Sequence, residues 1–213
     1  MSALKKHSTS ENDASFLLTK VSRLMYKREL TELCGGNISM RRNNKVYITP
    51  TCASQYFFWK LATSDILILA GDGEILTGAE DHLSRETDLH LRIYSAFPEI
   101  DSVFHLHSAD LLVLAEEGYL MDVELQKYLS EHHIEIAVLD ENLIGQTTMH
   151  DDEVLSLLNQ MDRKNTRIVI GYRHGIFSIA SDMSNHFAAV DSLACFLRRQ
   201  NLEANLERTL SCN

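Results

Sequence analysis

Proline is nearly absent from this chain: there are two in 213 residues, Pro50 and Pro98. Both fall where a structural pattern stops, and no Pro-rich linker, repeat or low-complexity run divides the sequence. Cysteine is scarce too. Cys34, Cys52, Cys195 and Cys212 are scattered, with no CxxC knuckle and no disulfide-type spacing, so reduced thiols, buried or inert, are expected. No apolar run approaches the roughly 20 residues that cross a bilayer. The opening stretch MSALKKHSTSEND lacks the apolar core of a signal peptide, which sets the expectation of a cytoplasmic location. Positive charge is in deficit, with 20 Lys and Arg against 30 Asp and Glu, a net −10. That balance argues against nucleic acid or an anionic membrane as partner. An anionic ligand would need a local positive site, made by a metal, a helix N-terminus or a few basic side chains.

What is present is an ordinary globular composition, 45% hydrophobic and 23% charged. The length suits one domain with a sizeable core, read as residues 12–213 behind a loose tail at 1–11. Apolar spacing predicts helices from Asn12 to Glu29, Glu86 to Phe97, Ala109 to Glu116, Val123 to Leu129, Asp151 to Met161 and Ser184 to Arg199. Strands are predicted at Ile38–Met40, Val46–Ile48, Asp65–Ala70, Ser102–His107, Ile134–Leu139, Arg167–Gly171 and Ile176–Ala180. Interspersed strands and helices make the class α/β or α+β.

The sharpest local signal is Phe104-His105-Leu106-His107. Residues two apart on a strand share a face, so both imidazoles can reach one metal ion. Ten histidines make a chance HxH pair common, and the motif alone is weak. His174 sits at a turn before Gly175 and could complete a three-histidine site with an open position, the arrangement of catalytic zinc; it could equally be a plain turn histidine. Glu86 opens a helix, where it could ligate metal, act as a general base, or only serve the helix dipole. Ser84 and Arg85 beside it, Gly35-Gly36-Asn37, and Thr49-Pro50-Thr51 are turns that could hold a phosphate.

These pieces stand in a recognisable order. Gly35-Gly36-Asn37-Ile38-Ser39, Ile48-Thr49-Pro50-Thr51, Ser84-Arg85-Glu86, His105-Leu106-His107 and Arg173-His174-Gly175 together resemble the class II aldolase/adducin family, over roughly residues 15–200. The resemblance implies a three-layer α/β fold with a central mixed, largely antiparallel sheet flanked by helices, and a homotetramer with active sites between subunits. It implies one divalent metal per subunit, zinc first, held by His105, His107 and His174. Glu86 would be the acid/base, with Gly36, Asn37, Thr51 and Ser84 around the phosphate of a small phosphorylated sugar. Residues 84–108 and Glu124-Leu125-Gln126-Lys127 are similar to the methylthioribulose-1-phosphate dehydratase branch, of methionine salvage. There Glu124 would be the catalytic acid/base and Lys127 would lie near the phosphate. The expected activity is a metal-dependent lyase on a phosphorylated ketose, a dehydratase of that branch first and an aldolase of the fuculose-phosphate type second. A non-enzymatic adducin-like scaffold is the third reading. Cys34, Cys52 and Arg85 depart from the family's usual residues at those positions.

Overall fold

Asn43 and Asn44 both take positive φ, 50° and 61°, and so supply the tight two-residue turn that matches strand twist. The turn folds β1 (Asn37–Arg42) back on β2 (Lys45–Ile48), with Arg42 opposite Lys45. This computed structural model describes residues 11–32, 35–116, 119–139, 151–171 and 175–211. The other strands are β3 (Leu67–Ala70), β4 (Ile75–Thr77), β5 (Ser102–Leu106), β6 (Ile134–Val138), β7 (Thr166–Gly171) and β8 (Gly175–Ala180). They form one sheet in the order β4-β3-β2-β1-β5-β8-β7-β6. Neighbours are antiparallel except β6 and β7, which are joined through α6 (Asp151–Gln160), since a parallel pair needs a crossover. The expected mixed, largely antiparallel sheet is therefore present.

Alternation along the strands separates two cores. Ile38, Met40, Phe104, Leu106, Ile168, Ile170 and Ile176 face α1 (Glu11–Lys27), α4 (Ala109–Leu112), α5 (Val123–Glu131) and α7 (Met183–Ser211). Val46, Ile48, Leu67, Leu69, Val103, Val169, Phe177 and Ile179 face α3 (Thr87–Ala96) and α6. This is the three-layer arrangement. On the first face His186 pins α7 to the sheet. Its Nδ1 lies 2.8 Å from Ser102 Oγ, its Nε2 lies 2.7 Å from Ser178 Oγ, and its ring stacks on Phe104.

Several expectations need correction. Leu24, although it falls at helical spacing with Val21 and Met25, is exposed; Ala14, Leu18, Val21 and Met25 carry the buried face of α1. The helix expected over 109–116 is one short turn, α4, followed by a 3-10 turn. A short helix, α2 (Ala53–Phe57), and the strand β4 were not foreseen. The last helix runs to Ser211 rather than Arg199, and residues 202–211 are all exposed. Cys52 and Cys195 are free thiols, as expected, but both are exposed rather than buried. The expected tail falls, apart from Glu11, outside the described residues, as do Cys34 and Cys212.

Candidate active site

The register of β1 against β5 sets Asn37 opposite His105. Just before Asn37 the chain passes so close to β5 that Gly36, at φ +93°, has no room for a side chain. A Cβ there would lie 2.5 Å from Thr31 Oγ1 and 2.9 Å from the His105 carbonyl oxygen. His105 is buried with its ring stacked on Phe177, and His107 follows immediately after β5 ends. The two Nε2 atoms are 3.1 Å apart. Nitrogens bound at about 2.0–2.1 Å to one tetrahedral zinc would stand roughly 3.3 Å apart, so the pair fits a shared metal ion as it stands. His107 Nδ1 lies 3.8 Å from Glu32 Oε1, placing a carboxylate behind that imidazole.

His174 lies outside the described residues, and among the described residues no group of three or more His, Cys, Asp or Glu is arranged to hold a metal. The adjoining Gly175 does reach the pair. At φ +137°, a Cβ on it would come within 2.7 Å of His105 Cε1 and 3.2 Å of His107 Nε2.

Glu86 is the N-cap residue of α3, not a residue of its first turn. Its Oε2 accepts from Ser84 Oγ at 2.7 Å and from Asn37 Nδ2 at 2.9 Å, and Asn37 Nδ2 also donates to Ser84 Oγ at 2.9 Å. Burial of Glu86 works against its charged form, but the Ser84 hydrogen bond and then the field of His105 outweigh it, and its pKa falls below the usual value. Asn37 Oδ1 is buried and has no hydrogen-bond partner among the described residues.

A cavity of ≈ 550 Å³ opens over this group. It brings together Gly36, Asn37, Thr51, Ser84, Arg85, Glu86, His105 and His107, all singled out from sequence. Arg85 is the one Lys or Arg side chain among the described residues that line it. Glu124 and Lys127 do not line the cavity. They are exposed on α5, whose Leu125 and Leu129 pack on the other face of the sheet.

Sequence reasoning missed part of the wall. Ser54, Gln55 and Phe58, in and around α2, also line the cavity beside Cys52, which the sequence had marked. The signal was the tight turn at Thr51, which had to be followed by something. It also missed a buried set on α3. His90 Nδ1 lies 2.7 Å from Ser39 Oγ, which lies 2.8 Å from Tyr94 Oη. Burial pushes the His90 pKa down to about 4, and it raises that of Tyr94. Polar residues at 90 and 94, within the apolar face of Leu89 and Ile93, were the available sign.

Two histidines at the end of the interior strand β5, a held carboxylate and a polar cavity make up the candidate site of this α/β fold. Residues 17–200 match the family described as Class II Aldolase and Adducin N-terminal domain, and the chain belongs to that family. It is an enzyme of the class II aldolase kind, a lyase, a kind generally dependent on divalent metal. It is 28% identical over 174 residues to an L-fuculose phosphate aldolase of Methanococcus vannielii, covering 82% of this chain and 88% of that one. It is also 28% identical over 202 residues to a methylthioribulose-1-phosphate dehydratase of Pseudoalteromonas translucida, covering 89% and 93%. The solved structure of YgbL from Klebsiella pneumoniae shares the fold with a TM-score of 0.68 at 16% identity, covering 89% of both chains. No helix among the described residues is long and apolar enough to cross a membrane.

Proposed function

We propose that this chain is a zinc-type lyase of small ketose 1-phosphates, with His105, His107 and His174 as metal ligands and Glu86 as the acid/base. The observation that carries the reading is the clustering of Glu86, the His105–His107 pair and Arg85 on one polar cavity. The metal, when bound, supplies Lewis acidity at the substrate's C2 carbonyl oxygen. Arg85, Ser84, Thr51 and the Gly36–Asn37 backbone take the phosphate. Glu86 is the one carboxylate among the described cavity residues, which favours chemistry through it. In aldol cleavage Glu86 accepts the C4 hydroxyl proton as the C3–C4 bond breaks, then delivers a proton to C3, releasing dihydroxyacetone phosphate and an aldehyde.

The second reading is dehydration of methylthioribulose 1-phosphate, favoured by the relative of that name that aligns along 93% of its own length. Glu124 then removes the C3 proton and returns a proton to the departing C4 hydroxyl, which leaves as water as the C3–C4 double bond forms. Exposed Glu124 and Lys127 on α5 suit a homo-oligomer, a tetramer by family, in which they serve a neighbouring copy's cavity. A cytoplasmic location accords with small phosphorylated substrates.

The test is metal analysis of the purified chain, with turnover of methylthioribulose 1-phosphate and of fuculose and ribulose 1-phosphates in the same sample. One metal per chain and dihydroxyacetone phosphate as product support the first reading; water loss from the methylthio sugar, abolished in Glu124→Gln, supports the second. No metal bound or taken up, or undiminished turnover by His105→Ala, rejects both.

A further inference from the structure

A buried polar seam runs where α3 lies on β1. Residues 86, 90 and 94 follow one another by a helical turn and share a face, while 37 and 39 share a face of the strand. The two sets meet: Asn37 holds Glu86, and Ser39 holds both His90 and Tyr94. Counting donors along the seam favours one arrangement of its protons. The Tyr94 hydroxyl has Ser39 Oγ at 2.8 Å as an acceptor for its proton. The Ser39 hydroxyl then donates to His90 Nδ1. In that arrangement neutral His90 carries its proton on Nε2, which is buried and has no partner among the described residues. The opposite direction of donation strands two groups, the Tyr94 proton and the Nε2 lone pair, instead of one.

A buried donor left without an acceptor is destabilising, and an apolar residue at position 90 would avoid that cost. His90 interacts electrostatically with one carboxylate, Glu86, a turn back on its own helix. Both side-chain donors to Glu86 converge on Oε2. One of them, Ser84, has a single hydroxyl proton, so it cannot serve the carboxylate and a substrate phosphate together.

We infer that His90 is a positioning residue for Glu86: its Nε2–H, fixed in that tautomer by Ser39 and Tyr94, steadies the carboxylate when Ser84 and Asn37 turn to substrate phosphate. The inference rests on the reading of Glu86 as the acid/base. His90 touches no substrate; it acts through Glu86, and its edge against Phe177, the ring on which His105 stacks, ties it to the same wall.

The experiment is nitrogen-15 NMR of the zinc-loaded, histidine-labelled protein at neutral pH, with and without inorganic phosphate. The expected result is a His90 signal of the neutral Nε2–H tautomer that shifts in Glu86→Gln and not in Lys127→Ala, with phosphate enlarging the effect of Glu86→Gln. Kinetics on whichever ketose phosphate turns over should show kcat lowered about 10–100-fold in His90→Leu. KM should stay within about threefold, and His90→Gln, which keeps an N–H donor, should recover most of the loss. An Nδ1–H tautomer, a resonance indifferent to Glu86→Gln, or full activity in His90→Leu overturns the inference. If no ketose phosphate turns over, the reading of the function has failed, and the NMR result still decides the role of His90.

Discussion

A histidine held between two serine hydroxyls inside the sheet-helix interface, as His186 is, makes folding depend on protons. Burial takes its pKa down to about 3, whereas an unfolded histidine titrates near ~6.5. Below that value the unfolded chain gains a proton that the folded chain refuses. The stability is complete above about pH 6.5 and drains away as pH falls towards about 3, at roughly 1.4 kcal/mol per pH unit while the two states differ by one proton. His90 acts in the same direction, with its folded value at about 4. Urea midpoints measured from pH 7 to 4.5 should fall less steeply in His186→Gln than in the parent, although the variant starts lower; parallel slopes would dismiss the idea. At the site itself, Gly175→Ala forces a Cβ against the His105 and His107 rings at a backbone angle that side chains avoid. The expected outcome is a stability loss of about 1–3 kcal/mol and at least about tenfold weaker metal binding, read by calorimetric metal titration beside a urea melt.

At the scale of elements, α2 shows how a helix can escape a sequence reading. Its ends are set by residues in the left-handed region, Cys52 at φ 54°, Phe58 at 49° and Trp59 at 57°. None of them is the glycine or asparagine that marks such a position, so the usual punctuation is missing. Tertiary contacts impose the angles: Trp59 is buried, and Arg23 Nη1 donates to the Phe58 carbonyl oxygen at 2.6 Å. Phe58→Gly should therefore relieve strain, leaving melting temperature unchanged or higher, while changing KM because the aromatic wall of the cavity is gone; a clear drop in melting temperature would show that the angle costs nothing. β4 escaped because three residues give too short an alternation to read. By contrast the HxH pair was legible, since a period of two on β5 aims both rings one way. The clasp on Glu86 was not legible, because Asn37 stands 49 residues from it in sequence and only the β1–α3 packing joins them. Glu124 and Lys127, found by resemblance, are on an amphipathic helix whose outward face a single chain leaves in solvent.

For the molecule as a whole, the site is a joint between layers. The ends of β1 and β5 supply the floor, the start of α3 supplies Glu86, and the residues around α2 close the side. A metal bound there cross-links segments distant in sequence, so it favours the folded state by mass action. At free zinc about 100 times its dissociation constant the gain is about 2.7 kcal/mol. Treatment with chelator should lower the thermal midpoint by several degrees and zinc should restore it, with no such shift in His105→Ala. The far end of α7 behaves differently. Leu202, Leu206 and Leu210 stand out at 60–67% exposure, beyond the last buried residue of the helix, Leu197. Among the described residues those turns bury no side chain, so they rest mainly on local helix energetics and should open more readily than the body. Amides after about residue 202 should exchange with deuterium orders of magnitude faster than those of β5 or β8. Trypsin at Arg208 should trim the chain without moving its melting temperature. The molecule thus carries two stabilities, and a melt that follows the sheet will be blind to the one that governs how long its C-terminal end survives a protease.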